Sequence, residues 1–479
     1  MPVNRFGFWL GLAAFAALLA VPAPAGLSAA AWSTAAVATL MAIWWFTEAV
    51  PVAMTGTLPF LLLPLLGAAK PAEVAADYMS PVLFLVLGGA MLGRALEKWG
   101  LHRRLAIAVV THAGTDPARL LLALMAATAF VSMWVNNSAT TVMMLPIAGS
   151  LALAARPDPD ADASRDERNF AAALLLSVAV AANVGGFATP IGTPVNPVAI
   201  GLIEQHFGVR IGFGQWLAFG VPIALAALPL AWLVLSRVVL PFRLPALPRA
   251  QVIAAVGATG AWTPPERRVL AVLAAAAGAW VALPLLEPHV PGLTDAGIAV
   301  AAALLLFVLP AGARGEDARR EPLLDWSDAR QAPWYLILLL GGGLALADAV
   351  GATGLSRWLG EELQQVAPAS ALALLLVVTL LCVLLTECAS NLATAATFIP
   401  IVGAIAIAGG HDPVPVALAA GLAASWGFAN PAGTSSNAMV IGTGRVSVPA
   451  MVGTGALVDA VGVVLIVLAC ALVVPVVLG

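Results

Sequence analysis

Apolar runs long enough to cross roughly 30 Å of hydrocarbon recur along almost the whole chain, as at Phe6 to Ala25, Trp216 to Leu235 and Val269 to Leu286. Polar residues gather in short clusters between them, and no stretch is left over for a soluble domain. The pattern predicts an all-α polytopic membrane protein of about 11 transmembrane segments. Simple spans fall near residues 7–25, 32–49, 52–68, 81–95 and 213–236, then 267–286, 290–312, 332–350 and 452–475. Four segments resist that reading because polar residues, or Pro and Gly, interrupt the hydrocarbon. They predict re-entrant hairpins at about 118–154 and 370–408 and broken helices at 169–207 and 413–444.

These interruptions repeat. Gly88-Gly89 falls on Gly342-Gly343, Asn137 on Asn391, Ala139-Thr140 on Ala393-Thr394 and Pro146-Ile147 on Pro400-Ile401, each 254 positions on. Further along, Gly186-Phe187-Ala188 matches Gly427-Phe428-Ala429, Pro190 matches Pro431, Gly192-Thr193 matches Gly433-Thr434 and Asn196 matches Asn437, now 241 positions on. The polar loop from Arg156 to Arg168 accounts for the change of offset. An odd number of crossings separates the copies, so they would lie in opposite orientation, the inverted-repeat plan of secondary transporters. The division expected is residues 1–240 for the first repeat, 241–266 for a cytoplasmic linker and 267–479 for the second repeat. A duplication kept for structure alone is the alternative, and matching polar motifs in each half argue against it.

The motifs are chemically specific. Ser132-Met133-Trp134-Val135-Asn136-Asn137-Ser138 and Thr386-Glu387-Cys388-Ala389-Ser390-Asn391 put amides and hydroxyls where lipid would be. At a hairpin tip the returning helix offers free N–H groups to a carboxylate, and the entering one offers free C=O groups to a cation. Ser, Thr and Asn also glue helices together for about 0.6 kcal/mol per bond, but two clusters in register favour a site. Thr189-Pro190-Ile191-Gly192-Thr193 and Asn430-Pro431-Ala432-Gly433-Thr434 break helices, which frees carbonyls of the kind that coordinate Na+. Simple proline kinks are the bland alternative. Glu48 and Glu387 read as structural hydrogen-bonding groups.

Composition narrows the function. With 61% hydrophobic and 10% charged residues among 479, the chain belongs in a bilayer. Its net charge of -3, with basic residues scattered, sets nucleic acid aside. Cys382, Cys388 and Cys470 form neither a disulfide framework nor a metal pattern. No string of Asp, Glu or His runs along mid-membrane to relay protons, no Gly-Lys-Ser/Thr loop points to ATP, and no nucleophile with a base points to an enzyme. Sodium coupling is preferred to proton coupling, and a channel would not need two hairpins of matched ligand chemistry. With the N-terminus in the cytoplasm, most Lys and Arg fall inside, from Lys98, Arg103 and Arg104 to Arg314, Arg319, Arg320 and Arg330. Lys70, Arg210 and Arg357 are left outside, and the C-terminus faces the periplasm. Pro22-Ala23-Pro24-Ala25-Gly26 could end a cleaved signal peptide, but the charge count favours an uncleaved first helix.

At Trp44-Trp45-Phe46-Thr47-Glu48-Ala49-Val50-Pro51, the two tips, Pro190 to Asn196 and Pro333-Trp334 with Gly341-Gly342-Gly343, the sequence resembles the divalent anion/sodium symporter family over nearly its whole length. The resemblance implies Na+ held by Ser132, Asn136, Asn137 and Gly192 at one site and by Thr386, Asn391 and Gly433 at the other. Asn137, Ser138, Asn391, Thr193 and Thr434 would then face the carboxylates of the substrate. It further implies a homodimer in the lipid of a bacterial inner membrane, carrying succinate, citrate or sulfate by an elevator movement. The family's Ser-Asn-Thr signature is altered to Asn136-Asn137-Ser138 and Ser390-Asn391-Leu392. The first change leaves a sodium-independent anion exchanger as the alternative to a symporter.

Overall fold

The computed structural model describes residues 4–156, 162–312, 321–363, 370–431 and 433–479. Among them, ten helices are long and apolar enough to cross a membrane. Each segment read as a hairpin holds two helices. The first pairs Pro117–Ser132 with Asn137–Ala154, and the second pairs Ala371–Cys388 with Asn391–Ala408. Asp116 caps the first of these helices through the N–H of Arg119, with Pro117 at the first helical position, where a missing N–H costs nothing. Pro146 and Pro400 lie inside the two returning helices at equivalent positions.

The broken helices also form, as Arg165–Phe187 followed by Val195–Phe207, and Pro413–Ala424 followed by Ser435–Gly442. Their breaks coincide with the Pro-Gly motifs, which cannot continue a helix. Burial ranks the elements: 94% of the apolar window of Arg165–Phe187 is covered by protein, against 28% of that of Pro264–Leu286. The first lies at the heart of the molecule, and the second presents its apolar surface outward.

Several spans differ from expectation. The first ends at Ala20 because Pro22 and Pro24 follow, and the span expected from residue 290 begins at Asp295, after Gly292 turns the chain at φ 88°. The stretch 52–68 is two short helices, Val52–Thr55 and Leu58–Leu65. The chain between them is pinned by a close approach: Tyr78 donates its hydroxyl to Gly56 O at 2.6 Å, and a Cβ on Gly342 would stand 1.9 Å from that same carbonyl. Short helices at Leu101–His112, Leu355–Leu363 and Arg249–Val256, the last inside the expected linker, were not signalled by hydrophobic runs. Glu48 ends its helix in the left-handed conformation (φ 46°) with its side chain exposed, so it acts through its backbone and not as the side-chain hydrogen-bonding group expected.

Groups expected on one side of the membrane do meet. Lys98 pairs with Asp328 at 2.8 Å and Glu321 at 3.1 Å. Arg104 pairs with Glu266 at 2.9 Å and stacks on Trp262, while Asn169 donates to Pro241 O at 2.7 Å. The core of the polar insert at 157–161 and Arg314, Arg319 and Arg320 lie outside the described residues.

Candidate functional site

The first knot is built where the first hairpin tip meets the first helix break. Ser132 donates its hydroxyl to Asn137 Oδ1 at 2.9 Å, and Asn137 donates its amide to Asn183 Oδ1 at 2.9 Å. Thr189 Oγ1 donates to Met133 O at 2.6 Å, tying the break to the tip. Asn196 then donates to Gly186 O at 3.0 Å and Thr189 O at 2.6 Å, binding the unwound segment to itself. The glycines are there for clearance. A Cβ on Gly186 would lie 2.1 Å from Asn137 Oδ1, and one on Gly192 would lie 2.5 Å from Gly186 O and 2.9 Å from Ser132 O. Carbonyl, amide and hydroxyl oxygens thus converge with no basic side chain bonded to them, a donor set that suits a hard monovalent cation.

The second knot repeats three of these ties, from the entering helix to the tip Asn, from the break to the tip and within the break, and differs in the others. Thr386 Oγ1 lies 2.8 Å from Asn391 Oδ1 and 2.7 Å from Ala424 O. Asn430 donates to Glu387 O at 2.5 Å, as Thr189 does to Met133 O. Asn437 donates to Phe428 O at 3.3 Å and Asn430 O at 3.0 Å, the counterparts of Phe187 and Thr189. Gly433 packs against Asn430 O. The internal repeat read from the sequence is therefore also a repeat of hydrogen bonds.

A seam joins the two knots. Ser138 Oγ and Ser435 Oγ are 2.5 Å apart, and Thr141 Oγ1 donates to Ser436 Oγ at 2.9 Å. Here the N-termini of Asn137–Ala154 and Ser435–Gly442 come together, and their free N–H groups favour an anion. Thr434 caps the second of these helices, accepting from Asn437 N at 3.1 Å. Ser138 and the half-buried Asn137 stand at the start of one helix of this seam and Thr434 at the start of the other, and Asn391 heads the other returning helix.

Two predicted residues stand somewhat apart. Asn136 is exposed, and its Oδ1 accepts from Ala139 N at 2.9 Å, so that oxygen caps the returning helix. Thr193 is buried, and with Asn136, Ile191 and Arg94 it lines a crevice of about 60 Å³. Arg94 is already paired there with Glu97 and Gln331. A larger cavity of about 940 Å³, lined by Trp32, Trp45, His206, Phe207, Asp348 and Thr397, touches none of the predicted site residues. Sequence reasoning missed Asn183, and it placed Thr141, Ser435 and Ser436 within the polar motifs without assigning them to the site. Their polar character inside apolar surroundings was the available signal, but which of them face each other depends on the packing.

Paired helices and broken helices meeting at oxygen-lined knots within an apolar bundle are the architecture of a polytopic membrane transporter. The model of the sodium:sulfate symporter transmembrane region matches residues 4–478, and the chain belongs to that family, as the sequence motifs anticipated. It is 35% identical over 479 residues to the sodium-dependent dicarboxylate transporter SdcS of Staphylococcus saprophyticus, covering 99% of this chain and 92% of that one. With the Staphylococcus aureus (strain USA300) protein of the same name the identity is 34% over 445 residues, or 92% and 85% of the two chains. The Alcanivorax borkumensis YdaH transporter (TM-score 0.57, 14% identity, 92% and 98% covered) and Neisseria gonorrhoeae MtrF (TM-score 0.60, 13% identity, 89% and 96% covered) share the fold.

Proposed function

We propose that the protein is a sodium-coupled symporter of a di- or tricarboxylate, a C4-dicarboxylate such as succinate foremost. The observation that carries this reading is the pair of knots joined by a hydroxyl seam between helix N-termini. One Na+ is held by Ser132, Asn137 and Gly192, with Asn136 at its edge, and another by Thr386, Asn391 and Gly433. Their charge, with the helix N-termini, then holds the carboxylates against Asn137, Ser138, Asn391, Thr193 and Thr434, with no lysine or arginine needed in contact. The names of the staphylococcal relatives support both the ion and the substrate class.

In this reading the halves are inverted repeats, and the hairpins and broken helices move together as an elevator against a scaffold of the remaining spans. The scaffold forms a homodimer, the N-terminus is cytoplasmic and the C-terminus periplasmic. The meeting of Lys98, Arg104, Glu266 and Asp328 at one end of the molecule supports that sidedness.

The test is radiolabelled succinate uptake into proteoliposomes with an inward Na+ gradient, with K+ alone, and with succinate preloaded inside. Uptake requiring Na+ is expected. Uptake driven by preloaded succinate alone would make the protein an exchanger, the reading favoured by the capping role of Asn136. Uptake of sulfate in preference to succinate would move the substrate class.

Cys388 offers a second check. It is exposed at the second tip, whereas Cys382 and Cys470 are buried. A membrane-impermeant maleimide is expected to label Cys388 alone among the three, and Na+ with succinate to slow that labelling. Mass spectrometry showing the same rate with and without them would move the substrate away from this tip.

A further inference from the structure

The two knots share their backbone ties, but one side chain breaks the symmetry. The position equivalent to Glu387 in the first half is Met133, and both offer their carbonyl to the break in the same way. The fold of the knot therefore does not require a carboxylate there.

Glu387 nevertheless points its carboxylate into the second break, accepting from Ala429 N at 2.8 Å and Asn430 N at 2.5 Å. A Cβ added to Gly433 would lie 3.5 Å from Glu387 Oε2. A second carboxylate comes from the final span. Asp459 is 8% exposed, and its carboxyl is hydrogen-bonded to that of Glu387 and to the N–H of Phe428. Its Oδ1 is enclosed and has no hydrogen-bond partner among the described residues. Gly455, one turn earlier, lets this helix press onto the break, for a Cβ there would stand 2.3 Å from Ala429 N.

Two acidic side chains thus meet, Asp459 buried and Glu387 half-buried. The final span packs on Phe213–Leu233, Val234–Val239, Ala371–Cys388, Pro413–Ala424 and Ala469–Val473. These elements carry Glu387 and one basic residue, Arg237, which is exposed. Backbone N–H groups of the break soften the charge without neutralising it, and buried carboxylates persist when a cation joins them.

We propose that Glu387 and Asp459 form a sodium site of their own beside the second knot, adding one coupling ion to those held at the two hairpin tips. The proposal rests on the symport reading and deepens it.

The experiment compares wild type with Asp459→Asn, which keeps the shape and removes the charge. In proteoliposomes clamped at zero potential with a tenfold inward Na+ gradient, each coupled ion raises the limiting succinate accumulation ratio about tenfold. Asp459→Asn is expected to accumulate about tenfold less than wild type while still requiring Na+. An unchanged limiting ratio overturns the site. Radioactive sodium binding to the purified protein without succinate covers the case of an inactive variant: one ion fewer per chain is expected, and an unchanged count overturns the proposal. An increment that follows an imposed pH gradient at equal Na+ assigns the place to a proton and overturns it as well. Wild-type uptake that needs no Na+ would instead defeat the symport reading, and the binding count would still judge this site by itself.

Discussion

Asn137→Ala and Asn391→Ala should each abolish succinate uptake while leaving the protein folded. Asn137 joins Ser132 on the entering helix of the hairpin to Asn183 on the first broken helix, with both ends of its amide engaged. Alanine removes the oxygen offered to Na+ and strands two buried polar partners, at about 1–3 kcal/mol for each group left unsatisfied. That is enough to lower cation affinity by roughly one to two orders of magnitude. The substrate suffers a second time, because its carboxylates rely on the bound cation for positive charge. Asn391 lies against Thr386 in the same way, so its loss should act through the other ion. The elements carrying both residues keep their extensive apolar packing, so monodisperse protein in detergent is expected from each variant. Normal uptake by both would remove these residues from the site.

Gly342→Ala should fail for a different reason, by loss of stability. A methyl group there would stand 1.9 Å from Gly56 O and 2.6 Å from Gly56 Cα, both backbone atoms that cannot swing aside. Gly56 is itself hemmed in, since a Cβ on it would lie 2.3 Å from Leu338 O. Overpacking of this kind costs about 3 kcal/mol, and here the backbones of two chain segments must part to relieve it. Gly343→Ala is the control on the same helix. A Cβ at Gly343 meets nothing within 4 Å, so the change should be neutral or stabilise by up to about 1 kcal/mol through helix propensity. Thermal unfolding of the purified variants checks the pair, and equal melting points for the two would refute the close approach.

The architecture was legible in the sequence because a membrane makes polarity conspicuous. Asn136-Asn137-Ser138 and Thr189 to Thr193 stand out against Leu, Ala and Val, and their repetition marked both tips and both breaks close to where they form. Short helices such as Leu101–His112 and Leu355–Leu363 lack a long apolar run and went unseen. The same limit applied to contacts. Nothing in the spacing says that Ser138 faces Ser435, or that Asp459 on the final span reaches Glu387, because those meetings depend on how separate helices pack. Gly56 and Gly342 illustrate the point again, since a glycine's reason for being small lies on the neighbour it touches.

The ties made by Asn196 and Asn437 go to main-chain carbonyls, and a carbonyl is supplied by any amino acid. The residues bearing such acceptors can therefore drift without loosening the frame, as Met133 and Glu387, which offer their carbonyls to Thr189 and Asn430, already have. A chain with two such tolerant frames behaves like a pair of paralogous genes fused end to end. One copy can be retuned by selection for another ion or another anion while its twin keeps the carrier working.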